Sequence, residues 1–252
     1  MALQDFYGTY QVTTASGTEF GVDSEVDIGQ AVDGSVSLTV SSAFSSGKVM
    51  LSGTYDNQAD ALRFPLQNDQ VMYVSRYVDS DPSKDYRSIY GILITPNPAA
   101  ATRIRLPVWS AEALSAPSTG GNGNQEVSDD PLTQSDFVGE YFIRTTADSQ
   151  FGVASGLSIT ESSSNLVGEI TNALGTSVMS SDLYYDSGTV SVTRDFTSTV
   201  MGPSGSVEVR TVFAMSIATE ETNGVETTYG YGIVTVGDPQ QAGTFGGEEG
   251  GP

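Results

Sequence analysis

The chain has 252 residues, 31 acidic against 10 basic side chains, a formal net charge of −21, no Cys and no His. This balance excludes a nucleic-acid binder, because phosphate binding needs clustered Lys and Arg, and it disfavours anionic membrane surfaces for the same reason. Without His or Cys the chain has no Ser-His-Asp triad, no thiolate nucleophile and no His- or Cys-ligated metal.

An internal repeat divides the sequence into two units. Asp5-Phe6-Tyr7-Gly8-Thr9-Tyr10 returns as Asp136-Phe137-Val138-Gly139-Glu140-Tyr141, and the closing Tyr90-Gly91-Ile92 returns as Tyr231-Gly232-Ile233. We therefore predict a tandem duplication, with a first β domain at 1–110, a flexible Gly/Ser/Asn-rich linker at 111–135, a homologous second domain at 136–240 and a Gly/Glu tail at 241–252. Units of this size can bury a core of their own.

The first unit reads as short strands separated by turns. Strands are predicted at Tyr7–Thr14, Val49–Tyr55, Leu62–Leu66, Val71–Val78, Tyr86–Thr95 and Thr102–Leu106. Apolar and polar residues also alternate on both sides of Asp33-Gly34, which is a hairpin signal. Seven to eight strands at this spacing predict an all-β fold, with each unit an antiparallel barrel or sandwich.

The second unit is longer between its markers. Asp5 to Tyr90 spans 85 positions and Asp136 to Tyr231 spans 95, so the second copy is ten residues longer. We place this extra length in a strand extension and loop between Gly188 and Gly205.

The opening Gly-x-Tyr strand and the stretch Leu51–Asp56 resemble small up-and-down barrels of the avidin and lipocalin kind. The resemblance covers about a dozen residues and places Tyr where those barrels typically have Trp. It implies a barrel rather than a sandwich, and no binding residue is carried over from it. The aromatic residues of the repeated Phe-x-Gly-x-Tyr are interpreted as core side chains, with an aromatic-lined ligand cup as the alternative.

Two short motifs resemble catalytic signatures. Asp186-Ser187-Gly188-Thr189 matches the Asp-Ser/Thr-Gly-Ser/Thr pattern of aspartic proteases, but the first unit has no second copy of it, so we expect a turn. Ser45-Ser46-Gly47-Lys48 satisfies Ser-x-x-Lys, yet it lies in a predicted turn rather than on a helix. No catalytic residue and no cofactor is therefore predicted.

Oxygen-rich loops are the remaining candidates for a metal. Asp79, Asp81 and Asp85 cluster in one loop and are weak candidates for Ca²⁺, although the EF-hand pattern fails. Glu220-Glu221 lies at the matching place in the second unit. For both we expect a solvated acidic loop, with a bound cation as the alternative.

Two aromatic residues are interface candidates. Trp109, the single Trp, either caps the end of the first core or anchors a protein contact. Phe245 lies in the Gly/Glu tail, whose composition does not favour independent order.

These observations favour a non-enzymatic structural protein that assembles with other subunits, with copies of itself among the candidate partners. We expect a component of a virion (capsid-decoration, adaptor or tail-associated) or of another extracellular assembly, because the start has no signal peptide and no run approaches a membrane span. A soluble barrel that binds a small ligand or sugar is the alternative, and a carboxylate hydrolase is a remote one. An acidic, Lys-poor surface is also typical of proteins from a halophilic, high-salt habitat.

Overall fold

The computed structural model describes residues 3–16, 21–43, 46–67, 69–78, 87–95, 108–113, 131–147, 153–163, 165–202, 205–222, 224–236 and 243–249. It confirms the predicted all-β fold and the predicted duplication of architecture. Each repeat is a closed antiparallel barrel of eight strands, joined in chain order, with the last strand paired to the first. The choice between barrel and sandwich is therefore decided for the barrel.

The first barrel follows a short 3-10 helix at Leu3–Phe6. Its strands are β1 (Gly8–Ser16), β2 (Glu25–Gln30), β3 (Val36–Ser41), β4 (Lys48–Asp56), β5 (Ala61–Pro65), β6 (Val71–Val78), β7 (Arg87–Ile94) and β8 (Val108–Ala113). The strands predicted from the sequence are confirmed within one or two residues at their ends, except Thr102–Leu106, which lies outside the described residues.

The second barrel follows a 3-10 helix at Gln134–Phe137. Its strands are β9 (Gly139–Ala147), β10 (Gly156–Ser162), β11 (Asn165–Thr171), β12 (Ser177–Asp186), β13 (Ser191–Gly202), β14 (Gly205–Thr222), β15 (Val225–Val236) and β16 (Gly243–Glu249).

Strands β8 and β16 differ from the sequence-based expectation. Residues 111–113 were assigned to the linker and residues 243–249 to the tail, yet β8 pairs with β1 and β7, and β16 pairs with β9 and β15. Each is the strand that closes its barrel. A strand bonded on both sides gains a full set of backbone hydrogen bonds, which overrides the weak strand propensity of Gly and Glu.

The repeated Phe-x-Gly-x-Tyr closes one end of each barrel from within. Phe6 and Tyr10 of the first copy and Phe137 and Tyr141 of the second are all at most 4% exposed. The Tyr10 hydroxyl donates to the Phe6 carbonyl at 2.8 Å, and the Tyr141 hydroxyl donates to the Phe137 carbonyl at 3.1 Å. The motif thus ties the 3-10 helix to the first strand and places both aromatic rings in the core.

Inward-facing side chains form one buried cluster in each barrel. In the first barrel the cluster takes residues from every strand between β1 and β7 except β4, and the partly buried Leu51 and Tyr55 of β4 pack against it. In the second barrel an equivalent cluster runs from Phe137 to Val234. Alternation along the strands produces these clusters, because every second side chain points inward.

Strands β6, β7, β14 and β15 depart from this alternation because they are buried on both faces. In β6, Met72 and Val74 belong to the barrel interior, whereas Val71, Tyr73 and Tyr77 belong to a separate cluster outside it. The burial pattern of β6 is consequently almost continuous. The surface outside these four strands is the contact between the two barrels.

The extra length of the second copy lies in a two-stranded extension of β13 and β14. Residue pairs from Thr197–Arg210 to Gly202–Gly205 join these two strands beyond the point where β15 begins to pair with β14 at Thr211. We call residues 197–202 and 205–210 the arm. Six residues at about 3.4 Å each give it a length of roughly 20 Å. The predicted strand extension is thereby confirmed.

Candidate functional site: the interface between the barrels

Two reciprocal tyrosine–serine pairs lie at the centre of the contact between the barrels. The hydroxyls of Tyr90 and Ser216 share a hydrogen bond at 2.9 Å, and those of Ser75 and Tyr231 share one at 2.7 Å. Tyr90 and Tyr231 are counterparts in the repeat, as are Ser75 and Ser216. The two tyrosine rings meet edge to face, with centroids 5.8 Å apart. The interface is therefore related by a pseudo-twofold axis.

Both tyrosines are held neutral by their surroundings. Burial raises the pKa of Tyr90 and of Tyr231 well above the ordinary value, and the serine hydrogen bond offsets only part of that effect. A buried hydroxyl without a partner destabilises a fold. Each tyrosine supplies that partner to the serine of the opposite barrel, so the four hydroxyls are satisfied only when the barrels are together.

An apolar layer surrounds the four hydroxyls and is built from both barrels. Its members are buried residues of β5, β6, β7, β14 and β15 and the turn before β5, with Leu132 packed against them: Ala59, Ala61, Val71, Tyr73, Tyr77, Tyr90, Ile92, Ile94, Val212, Ala214, Ala218, Tyr229, Tyr231 and Ile233. A single hydrophobic cluster thus belongs to two domains. Such a shared core is typical of permanent contacts rather than transient ones.

An ion pair lies at the rim of this layer. Glu220 on β14 accepts from the Tyr73 hydroxyl at 2.7 Å and from Arg63 Nε at 3.0 Å. Burial raises the pKa of Tyr73, and the hydrogen bond to Glu220 adds to that rise. The expectation that Glu220 lies in a solvated acidic loop is wrong, because its side chain is 13% exposed and contacts the first barrel.

The end of the first barrel nearest the 3-10 helix contains a buried charged cluster. Arg76 Nε lies 2.9 Å from Asp60 Oδ2, and Arg76 Nη1 lies 3.3 Å from Asp5 Oδ2. The Tyr55 hydroxyl donates to Asp60 Oδ1 at 2.6 Å. The cluster reaches the second barrel, since Arg76 Nη2 donates to the Gly188 carbonyl at 2.8 Å.

Burial makes this cluster a rigid plug. The Asp60 side chain is 0% exposed and that of Arg76 is 11% exposed. The guanidinium also lies over the Phe6 ring, 5.5 Å from its centroid. Burial, followed by the hydrogen bond and the charge of Asp60, raises the pKa of Tyr55, so this hydroxyl remains a donor.

The second barrel replaces this plug with apolar side chains. Val190 takes the place of Asp60, with the same positive φ, 44° against 45°. Ile217 takes the place of Arg76 and is buried. The Tyr185 hydroxyl, the counterpart of Tyr55, donates instead to the Leu132 carbonyl. The two copies have kept one backbone and changed the chemistry of one barrel end.

The sequence-predicted interface candidates occupy equivalent backbone positions. Trp109 on β8 pairs with Gly91, and Phe245 on β16 pairs with Gly232, the counterpart of Gly91. Each also pairs with β1 or β9, at Ala15 and Thr146 respectively. Strands β8 and β16, which carry these two residues, lie near each other, and β16 also contacts β1, where the Thr244 and Thr14 hydroxyls lie 3.3 Å apart.

The motif at Asp186–Thr189 is a turn between β12 and β13, as predicted. Asp186 Oδ1 accepts from the Gly188 backbone at 2.8 Å, and Asp186 Oδ2 accepts from the Thr189 hydroxyl at 2.9 Å. The carboxylate therefore stabilises its own turn. In the Ser-x-x-Lys motif, Lys48 begins β4, and Ser45 lies outside the described residues.

The candidate calcium ligands Asp79, Asp81 and Asp85 lie outside the described residues. Within the described part of the chain, no group of three or more acidic side chains is placed to hold a metal ion. The described helical segments are two short 3-10 turns, so none has the length or apolar character to cross a bilayer.

No sequence motif marks Ser75, Arg76, Tyr90 or Ser216 as a site. The usable signal is that the stretches around these residues lack the alternation of apolar and polar residues that a strand buried on one face shows. Val71–Val78 is apolar apart from Ser75 and Arg76, and its counterpart Val212–Ala218 is apolar apart from Ser216. Strands of that composition are buried on both faces.

Comparison with known proteins gives only distant structural similarities. No family model and no curated protein matches the sequence. A protein of unknown function from the DUF3598 family of Nostoc punctiforme PCC 73102 aligns over 99% of both chains with 11% identity and a TM-score of 0.29. A candidate outer membrane protein from Bacteroides fragilis NCTC 9343 aligns over 98% of both chains with 12% identity and a TM-score of 0.23. Similarities this low assign no function to the chain.

Proposed function

We propose that the chain is a non-enzymatic structural subunit of a protein assembly, in a virion or another extracellular particle. The observation that carries the proposal is the arm of β13 and β14. In the described part of the chain it is a two-stranded extension that the second barrel has and the first lacks, and it continues past Thr211, where β15 begins to pair with β14. A duplicated scaffold with one two-stranded extension suits attachment, because β-ribbons are elements to which strands of other proteins add.

The packing of the barrels supports this function over ligand binding. The largest fully buried side chains include Phe6, Phe64, Phe137 and Phe213, and all four belong to the inward-facing clusters. A ligand cup needs a cavity of about 300 Å³ or more. Phe64 on β5 and Phe213 on β14 fill part of each interior, and Phe6 and Phe137 close one end of it, so these rings occupy space that such a cavity requires.

Three acidic side chains have structural partners, which supports a non-enzymatic role. Asp186, the acid of the protease-like motif, accepts hydrogen bonds within its own turn; Asp60 is paired with Arg76, and Glu220 is paired with Arg63. A carboxylate hydrolase needs two acids that face one cleft.

Sedimentation velocity of the purified chain tests the proposal. We expect oligomers whose size increases with protein concentration, and an arm that resists proteolysis in the oligomer but is cleaved in dilute solution. A chain that remains a monomer at every concentration, with an arm equally sensitive throughout, contradicts a self-assembling subunit.

A further inference from the structure

The contact between the barrels is made twice, once in each direction across the pseudo-twofold axis. Tyr90 of the first barrel bonds to Ser216 of the second, and Tyr231 of the second barrel bonds to Ser75 of the first. In symmetric dimers each residue pair of the interface occurs twice in the same way. Here one chain carries both halves of the contact, so every copy of the chain offers a complete set of partners to any other copy.

The segment that links the barrels leaves open which copy supplies the partner. The first barrel ends at Ala113, and the described chain resumes at Pro131. Residues 114–130 between them are 17 positions rich in Gly, Ser and Asn. An extended chain of this length reaches at most roughly 60 Å. It can lead to the second barrel of the same molecule or to that of a neighbouring one.

The bonds that hold the barrels together can form equally well between two molecules. Glu220 of the second barrel accepts from Arg63 of the first, and Arg76 of the first barrel donates to the Gly188 carbonyl of the second. The chain has no Cys, so no disulfide joins the barrels. Each bond therefore re-forms unchanged when the partner barrel belongs to another copy.

We propose that two copies of this chain pair by exchanging barrels, so that the first barrel of each molecule packs on the second barrel of the other. The pair contains the barrel contact twice and leaves no such face free, so it closes as a dimer. The inference rests on the proposed assembly function and names a partner and a contact for it.

Mass action decides between the closed monomer and the exchanged dimer. Both contain the same contacts, and the monomer is favoured by its linker, which holds the partner barrel at an effective concentration on the order of 1 mM. The exchanged dimer is therefore expected where copies are crowded, as they are in a particle, and the monomer is expected in dilute solution.

Salt should favour the exchanged dimer. Each copy has a net charge of −21, so two copies repel one another. Screening weakens this repulsion, whereas the centre of the contact consists of hydroxyl pairs and apolar side chains. The dimer fraction should therefore rise as salt is added.

Charge reversal at the rim tests the exchange in the full chain. Arg63→Glu places a second carboxylate opposite Glu220, and Glu220→Arg places a second guanidinium opposite Arg63, so each variant is repelled across its own contact. In an exchanged pair with one copy of each, one contact is native and the other has the ion pair reversed.

The two variants are mixed in denaturant and refolded together at high concentration, with one of them isotope-labelled. Native mass spectrometry should then show an excess of about tenfold of the heterodimer over either homodimer, because like charges are disfavoured across an interface. The variant Arg63→Glu/Glu220→Arg, which restores the pair within one chain, is the matched control and should behave like the wild type.

Cross-linking reports on the contact itself. Thr14 on β1 and Thr244 on β16 are buried on opposite barrels, with their hydroxyls 3.3 Å apart. Thr14→Cys and Thr244→Cys in separate copies meet only when the barrels are exchanged, so co-refolding and oxidation should give a covalent dimer. Thr14→Cys mixed with Val32→Cys, at a fully exposed position, measures chance cross-linking and should give none. Thr14→Cys/Thr244→Cys in one chain should cross-link within the molecule.

The outcomes separate the exchange from the wider proposal. A cross-link between the two single Cys variants, together with the heterodimer, supports the exchange. A wild type that forms oligomers, while the mixtures give neither heterodimer nor cross-link, overturns the exchange and leaves the assembly function standing. A wild type that is monomeric at every salt and protein concentration, with neither product in the mixtures, overturns both. Circular dichroism of each variant confirms that it is folded.

Discussion

At the scale of single residues, the contact between the barrels depends on hydroxyl groups that neither barrel can satisfy alone. Ser75 and Ser216 are both 0% exposed, and each has its hydrogen-bond partner on the other barrel. Separation of the barrels would expose these hydroxyls to water, and it would also expose the apolar layer around them. The polar groups therefore fix the relative position of the barrels, and the apolar layer supplies the stability.

Removal of one tyrosine hydroxyl tests this reading. Tyr90→Phe leaves the Ser216 hydroxyl buried without a partner, which should lower the free energy of unfolding by about 1–3 kcal/mol. The double variant Tyr90→Phe/Ser216→Ala should recover part of that loss, because both polar groups are gone. Because the interface is pseudo-symmetric, Tyr231→Phe should lower the free energy of unfolding by a similar amount. Denaturant titration measures the free energy of unfolding of each variant. A Tyr90→Phe variant as stable as the wild type contradicts the role of the pair.

Alkaline pH should unfold the protein through the same residues. The pKa of Tyr90 and of Tyr231 in the fold lies above the unfolded value of 10.0, so their contribution is complete below that pH and is lost as the pH rises through the folded pKa. The two protons that Tyr90 and Tyr231 release on unfolding lower the stability by about 3 kcal/mol per pH unit in that window, in addition to the effect of Tyr55 and Tyr73, whose pKa is also raised. Tyrosinate absorbance should rise together with loss of the β-sheet signal. The variant Tyr90→Phe/Tyr231→Phe should show a shallower alkaline slope, and an equal slope contradicts the assignment.

At the scale of strands, the glycine of Tyr231-Gly232-Ile233 is a packing requirement. A Cβ atom on Gly232 would lie 2.0 Å from the Ala214 carbonyl oxygen of the neighbouring strand. Tyr231 points into the interface and Ile233 does the same, so the glycine between them faces the barrel side where β14 and β15 are closest. The motif lies on β15, which is covered by the other barrel on one face and has no room for a side chain at Gly232 on the other face.

Substitution of this glycine gives a direct test at the strand scale. Gly232→Ala should destabilise the fold by about 3 kcal/mol or more, because the clash is with backbone atoms that have no room to move. Gly156→Ala in β10 is the matched control, since nothing lies within 4 Å of its added Cβ, and it should change stability by less than about 0.5 kcal/mol. Thermal unfolding of the two variants compares them. Equal losses of stability in the two variants would show that the close approach of β14 and β15 does not restrict the residue at position 232.

The strands of this chain differ in how far the sequence predicts them. Val71–Val78 and the hairpin around Asp33-Gly34 were predicted because their local pattern agrees with their structure. Strand β16 was missed because Gly and Glu have low strand propensity, and its order comes from β15 and β9 on either side. The Asp60–Arg76 pair was missed for a related reason: sixteen positions separate the two residues, and the register of β5 against β6 places them opposite each other.

At the scale of the whole molecule, two barrels behave as halves of one structure. The hydrophobic layer draws on both repeats, Glu220 bonds to Arg63 and Tyr73 of the first barrel, and Arg76 bonds to the backbone of the second. The duplication was predicted from the sequence, but the contact between the copies was not. The sequence indicates that contact only through the strands that are buried on both faces. Divergence of the copies is concentrated in the barrel end at Asp60 and in the arm.

The central claim is that the two barrels unfold as one cooperative unit, and the single tryptophan offers a direct test. Trp109 reports on β8 of the first barrel, and the variant Trp109→Phe/Phe245→Trp moves the probe to the equivalent position on β16 of the second. We predict that denaturant titrations followed by fluorescence in the two proteins give coincident midpoints, each matching the circular dichroism transition of the same protein. Introduction of Tyr90→Phe should shift both midpoints together. Two separated transitions, with Tyr90→Phe moving only the first-barrel probe, would contradict the claim.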